Sequence, residues 1–200
     1  MILASAVVIG LVAGLARAGV RRLPYQTPEL RYVWLVFLAL FAQWLVLNFS
    51  GSWLYLTSTA AAMVLVGSQI MLFVFALANR AQPAFWLLGT GLVLNLAVMV
   101  ANGGLMPIAP EMAARLAQAE PGLVWQIGER LGTGKDIVLN AAATRLWFLS
   151  DHFLLLPSNL GYQVVFSPGD VLVAAGAFWL LFSPLASGRR PKLQAGTPTA

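Results

Sequence analysis

The chain has 200 residues, 60% of them hydrophobic and 10% charged, with a net charge of +5, no cysteine and one histidine. Soluble domains carry about 45–50% apolar and about 25% charged residues, so an ordinary soluble domain is excluded and the bilayer becomes the main solvent. The cysteine and histidine counts exclude disulfides, thiolate metal sites and a multi-histidine metal centre within one chain, so no metal and no cofactor is expected.

The first apolar run, Ile2 to Ala16 and extendable to Val20, carries Ala6, Gly10, Gly14 and Ala18 on one helical face. That spacing of small residues lets membrane helices approach closely. A cleavable signal peptide is the competing reading of Ala16-Arg17-Ala18, but the positive charges follow the apolar run instead of preceding it. The second span is expected over about Tyr32 to Phe49, the third over about Trp53 to Ala78, and the fourth over about Phe85 to Ala101, with Ser50-Gly51-Ser52 forming a tight hairpin between the second and third. Arg80 and Pro83 end the third helix. The fifth span is Val171 to Leu185, and its shortness places its start a little earlier.

Between the fourth and fifth spans three helical stripes suggest a cap. Pro110-Glu111 opens the first, Pro121 opens a second with Leu123, Val124, Ile127 and Leu131 on one face, and Ile137 to Leu149 form the third. The expected fold is therefore all-α and integral to the membrane, with five transmembrane helices and a mainly helical extracytoplasmic cap between helices four and five. Its domains would be residues 1–101 for spans one to four, 102–169 for the cap, 170–186 for span five and 187–200 for a disordered basic tail.

Orientation follows from the basic residues. Arg17, Arg21, Arg22, Arg31, Arg80, Arg189, Arg190 and Lys192 fall on one side, and Arg115, Arg130, Lys135 and Arg145 on the other. The first side should be cytoplasmic, which puts the N-terminus outside and the C-terminus inside. Basic residues beside apolar runs suit anionic headgroups, so the expected partners are membrane lipids and a further membrane protein, and not nucleic acid.

Four pieces stand out: GLARAG after the first span, ANGGLMP at Ala101 to Pro107, TRLWFLSD at Thr144 to Asp151, and FSPGDVLVAAG at Phe166 to Gly176. Together they resemble the bacterial membrane family catalogued as domain of unknown function 5317, over nearly the whole chain before the tail. Asn102, Gly103, Gly104, Met106 and Pro107 match its Asn-Gly-Gly-x-Met-Pro turn, and Phe166, Ser167, Gly169 and Asp170 its Phe-Ser-x-Gly-Asp helix entry. The middle piece departs from the family's Leu-Gly-Asp, having Ser150 before Asp151. The resemblance implies a fold and a membrane location, and no activity; the expected location is the bacterial inner membrane.

Polar residues within or beside the spans are costly and are the functional candidates. Asn95, Asn102, Gly103, Gly104 and Asp170 are the candidate ligand contacts, with helix capping and interhelical hydrogen bonding as their structural roles. Gln43, Asn48, Ser68 and Gln69 could line a small polar path. Asp151 and Asp170 at one membrane boundary, with His152 beside them, could activate water as paired carboxylates do. Gly132-Thr133-Gly134-Lys135 lacks the first glycine and the Ser or Thr of a phosphate loop and is set aside. The functional expectation is a non-enzymatic accessory, scaffold or lipid- or ligand-binding module, with an aspartate-dependent membrane hydrolase as the alternative.

Overall fold

The computed structural model describes residues 2–26, 28–49, 56–116, 125–155 and 164–183. Five long apolar helices dominate it. They are α1 (Ile2–Arg21), α2 (Trp34–Phe49), α3 (Ser58–Ala78), α4 (Ala84–Ala101) and, after a seven-residue α5 (Pro110–Leu116), α6 (Pro168–Phe182). Helices α1, α3 and α4, of 20, 21 and 18 residues, are long and apolar enough to cross a membrane. Helices α2 and α6 have 16 and 15 residues, roughly 22–24 Å of rise against a hydrocarbon core of about 30 Å.

The helices pack as an arc. Helix α1 lies on α6, α6 on α4, α4 on α3 and α3 on α2, whereas α1 and α2 make at most marginal contact. The small-residue face of α1 sets the first contact: Gly10, Gly14 and Ala18 are its buried residues, and a methyl group at Gly10 would lie 2.9 Å from the Phe178 carbonyl oxygen. Tyr25 Oη donates to Leu181 O at 2.8 Å and holds the same ends together. Helices α4 and α6 approach as closely where Gly91 meets Gly169, since a methyl group at Gly91 would stand 2.5 Å from Gly169 O. At the arginine-bearing end, Asn79 accepts from Arg31 N at 2.8 Å and donates to Arg31 O at 3.0 Å, clamping the α1–α2 connection to the end of α3.

The segment between α4 and α6 differs from the expected helical cap. Only α5 and a 3-10 turn at Trp147–Leu149 are helical among its described residues. Pro121 to Val124 lie outside the described residues, and Trp125 to Leu131 form turns and an isolated bridge, not a continuing helix. The stretch from Ile137 to Leu149 is broken into β2 (Asp136–Val138), turns and the 3-10 turn. The reason is pairing at long range. Strand β1 (Met106–Ile108) lies parallel to β2 with Met106 opposite Asp136 and Ile108 opposite Val138, so Val138 is buried by a ladder, while Ala142, Ala143, Leu146 and Trp147 of the expected third helix lie exposed. A second pair, β3 (Phe153–Leu155) and β4 (Val164–Phe166), is antiparallel. Leu105 and Met106 pack into a core with Val46, Ala62, Leu65 and Val98, which seats the segment on α2, α3 and α4.

Candidate functional site

The site begins with the turn after α4. Asn102 caps the helix, its Nδ2 donating to Val98 O at 2.7 Å and to Arg145 O at 2.8 Å, and its Oδ1 accepting from Arg145 N at 2.9 Å. Gly103 and Gly104 then take φ of +84° and +93°, a left-handed turn that glycine adopts without penalty. The turn sends β1 into the middle of the segment. Met106 N bonds to Lys135 O at 2.9 Å on one side of β1, and Asp151 N to Pro107 O at 3.2 Å on the other.

That arrangement brings Lys135 and Asp151 together. Lys135 Nζ stands 2.5 Å from Asp151 Oδ2 and 3.6 Å from Asp136 Oδ1. Asp151 is 1% exposed. Burial disfavours the Lys135 ammonium, but the carboxylates of Asp151, Asp136 and Asp170 outweigh it and hold the amine's pKa above its ordinary value. Burial pushes Asp151 above the ordinary carboxylate range, with Lys135 pulling the other way and Asp136 and Asp170 adding to the rise. Asp151 Oδ1 and Asp136 Oδ1 are buried without a hydrogen-bond partner.

The second half of the site joins α4 to α6. Ser167 is the N-cap of α6 and accepts from Asp170 N at 3.1 Å, while Asp170 Oδ2 accepts from Ser167 N at 3.2 Å. Asp170 thus occupies the third helical position of a capping box, not the cap itself. Its Oδ1 accepts from Asn95 Nδ2 at 2.8 Å, and Ser167 Oγ donates to Asn95 Oδ1 at 2.9 Å. The Asn95 side chain lies so close above Gly169 that a Cβ there would overlap Asn95 Oδ1.

Both halves meet at a cavity of about 220 Å³. Its polar lining is Gln43, Gln69, Asn95, Lys135 and Asp170, and its apolar lining includes Ile2, Leu3, Leu40, Leu72, Leu92 and Val173. All five long helices contribute. Gln43 Nε2 donates to Ser68 Oγ at 2.8 Å, whereas Gln69 Oε1 is buried with no partner. A larger hollow of about 680 Å³ near Tyr25, Glu29, Gln82 and Trp179 at the opposite end has no buried titratable group and adjoins residues outside the described set.

Of the expected ligand contacts, Asn95 and Asp170 line one cavity, while Asn102, Gly103 and Gly104 serve the turn that places β1. Asn48 donates to Trp44 O at 2.9 Å on the surface of α2 and is not in the cavity lining. His152 Nδ1 lies 2.8 Å from Ser150 O and its ring is 4.2 Å from that of Phe153, in an aromatic group with Trp147. Its ring is thus engaged by a backbone carbonyl and aromatic neighbours. Lys135 was missed as a site residue because its partner Asp151 lies across β1, and with it the adjacent Asp136; Ser167 was missed although Ser-x-x-Asp before an apolar run is the sequence pattern of a capping box.

The family of unknown function DUF5317 matches residues 27–182. The chain belongs to that family. No curated protein and no solved structure matches it. The family match spans α2 to α6, and hence every polar residue of the cavity.

Proposed function

We propose that this DUF5317 member is a multi-pass protein of the bacterial inner membrane that binds a small or lipid-like ligand in the cavity between its helices. Five spans, an outside N-terminus, a cytoplasmic C-terminus and a cap over residues 102–169 go with this reading. The division of basic residues supports the orientation, and the apolar length of α1, α3 and α4 supports the membrane location. Helices α2 and α6 complete the crossing with their flanking residues in the interfaces.

One observation carries the proposal: side chains from five helices and Lys135 converge on one cavity where a buried amide oxygen, Gln69 Oε1, has no partner. A buried acceptor left empty costs about 1–3 kcal/mol, a cost that a ligand can remove. Helix association alone needs no such hollow. The hydrolase alternative has less support, because Asp151 is 1% exposed and bound to Lys135, while a carboxylate that activates water must reach it.

The test compares the membrane lipids and lipoproteins of cells carrying the parent with those of cells carrying the Asp151→Asn, Asp170→Asn double variant at matched abundance. Binding without catalysis predicts that no uncleaved species accumulates. Accumulation of one uncleaved lipid or lipoprotein would establish the hydrolase instead.

A further inference from the structure

The helix arc is open on one side. Helix α1 is attached through its glycine face to α6 and makes at most marginal contact with α2, so the two ends of the arc do not close. Ile2 and Leu3 from α1 and Leu40 from α2 line the cavity, and Leu3 and Leu40 are 41% and 45% exposed. The gap is thus flanked by aliphatic side chains and leads inward to Gln69, Asn95, Lys135 and Asp170. Acceptors prevail among those polar groups. Gln69 Oε1 is unpartnered, Asp170 presents a carboxylate, and Lys135 is engaged by Asp151 and Asp136 and feels Asp170 as well. Asp170 is the one acid in the cavity lining and Lys135 is held by Asp151 and Asp136, so an incoming anion finds no free cation, and an incoming cation with N–H groups finds both charge and acceptors.

We infer that this cavity takes the primary-ammonium head of a membrane amphiphile that enters sideways from the bilayer between α1 and α2. The inference rests on the ligand-binding reading above and names the class of ligand. The head would donate to Gln69 Oε1 and to Asp170, and the chain would leave past Ile2, Leu3 and Leu40 into lipid. A transmembrane helix from a second protein, about 10–12 Å across with its side chains, does not fit a cavity of about 220 Å³.

The experiment places the full chain in phosphatidylcholine nanodiscs and follows its thermal unfolding midpoint against added dodecylamine, dodecyltrimethylammonium, dodecyl phosphate and butylamine. Dodecylamine should raise the midpoint saturably. The trimethyl analogue, equal in charge but without N–H donors, should bind at least about tenfold more weakly, and so should butylamine, which has no long chain. Dodecyl phosphate should not stabilise the protein. Gln69→Leu, which keeps the helix apolar and folded, should weaken dodecylamine at least about tenfold, and Asp170→Asn should do the same where it folds. Leu40→Trp, which fills the gap, should weaken it too. Dodecyl phosphate binding as tightly, with Gln69→Leu abolishing it, would overturn the ammonium head and leave the cavity as a ligand site. Butylamine binding as tightly as dodecylamine would overturn lateral entry alone. Equal, non-saturating shifts for parent and Gln69→Leu, or a second chain lodged between α1 and α2, would overturn the inference and the ligand-binding reading together.

Discussion

Asn95 Nδ2 donates to Asp170 Oδ1 at 2.8 Å and so ties the buried face of α4 to the first turn of α6. The same aspartate completes a capping box with Ser167, whose hydroxyl returns to Asn95 Oδ1 at 2.9 Å. Three side chains therefore close one ring of hydrogen bonds, and a cap, a helix contact and part of a cavity wall become one unit.

Removing the carboxylate breaks two members of that ring at once. Asp170→Ala should cost about 1–3 kcal/mol of unfolding free energy in detergent, from the lost cap and the unpaired Asn95 amide. Asp170→Asn retains an acceptor and should cost less. Parent-like unfolding of both variants would refute the structural role.

The Lys135–Asp151 pair should be far more sensitive to a single change than to a double one. Lys135→Met leaves Asp151 buried without its cation and should cost about 3–5 kcal/mol, whereas Lys135→Met with Asp151→Leu should recover much of that loss. A double-mutant cycle read by chemical denaturation gives the coupling. Additive losses would mean that the two side chains do not interact in the folded protein.

Gly169 has no room for a side chain because Asn95 lies over it. Gly169→Ala should destabilise by about 1–3 kcal/mol, and adding Asn95→Ala should make the alanine less costly than it is alone. If the penalty is unchanged in the Asn95→Ala background, the Asn95 side chain is not its cause.

The orientation can be read with single cysteines, since the chain has none. Arg80 and Thr133 are both exposed and lie at opposite ends of the helices. On intact cells an impermeant thiol reagent should label Thr133→Cys and leave Arg80→Cys untouched. Labelling at Arg80 would invert the topology.

The helices were legible because each is a continuous apolar run, and the packing of α1 because Gly10, Gly14 and Ala18 fall on one face. The start of α6 near Asp170 is legible too, although Ser167 is its cap and Asp170 the third helical position. The connecting segment was not legible. Val138 falls in the run from Ile137 to Leu149 that the sequence suggests as a helix, yet its burial comes from pairing with β1, which lies far back in the chain. Lys135 and Asp151, 16 residues apart, are joined only because β1 carries one on each side. Local periodicity holds no record of such a neighbour, so a lysine set aside with a failed phosphate-loop pattern became the centre of the polar cluster.

Native mass spectrometry of the protein drawn from its own membrane into mild detergent tests cavity binding most directly. The parent should carry an adduct of one defined mass, and Gln69→Leu, folded and equally abundant, should have lost it. A bare parent, or the same adducts on both proteins, would contradict binding at this site.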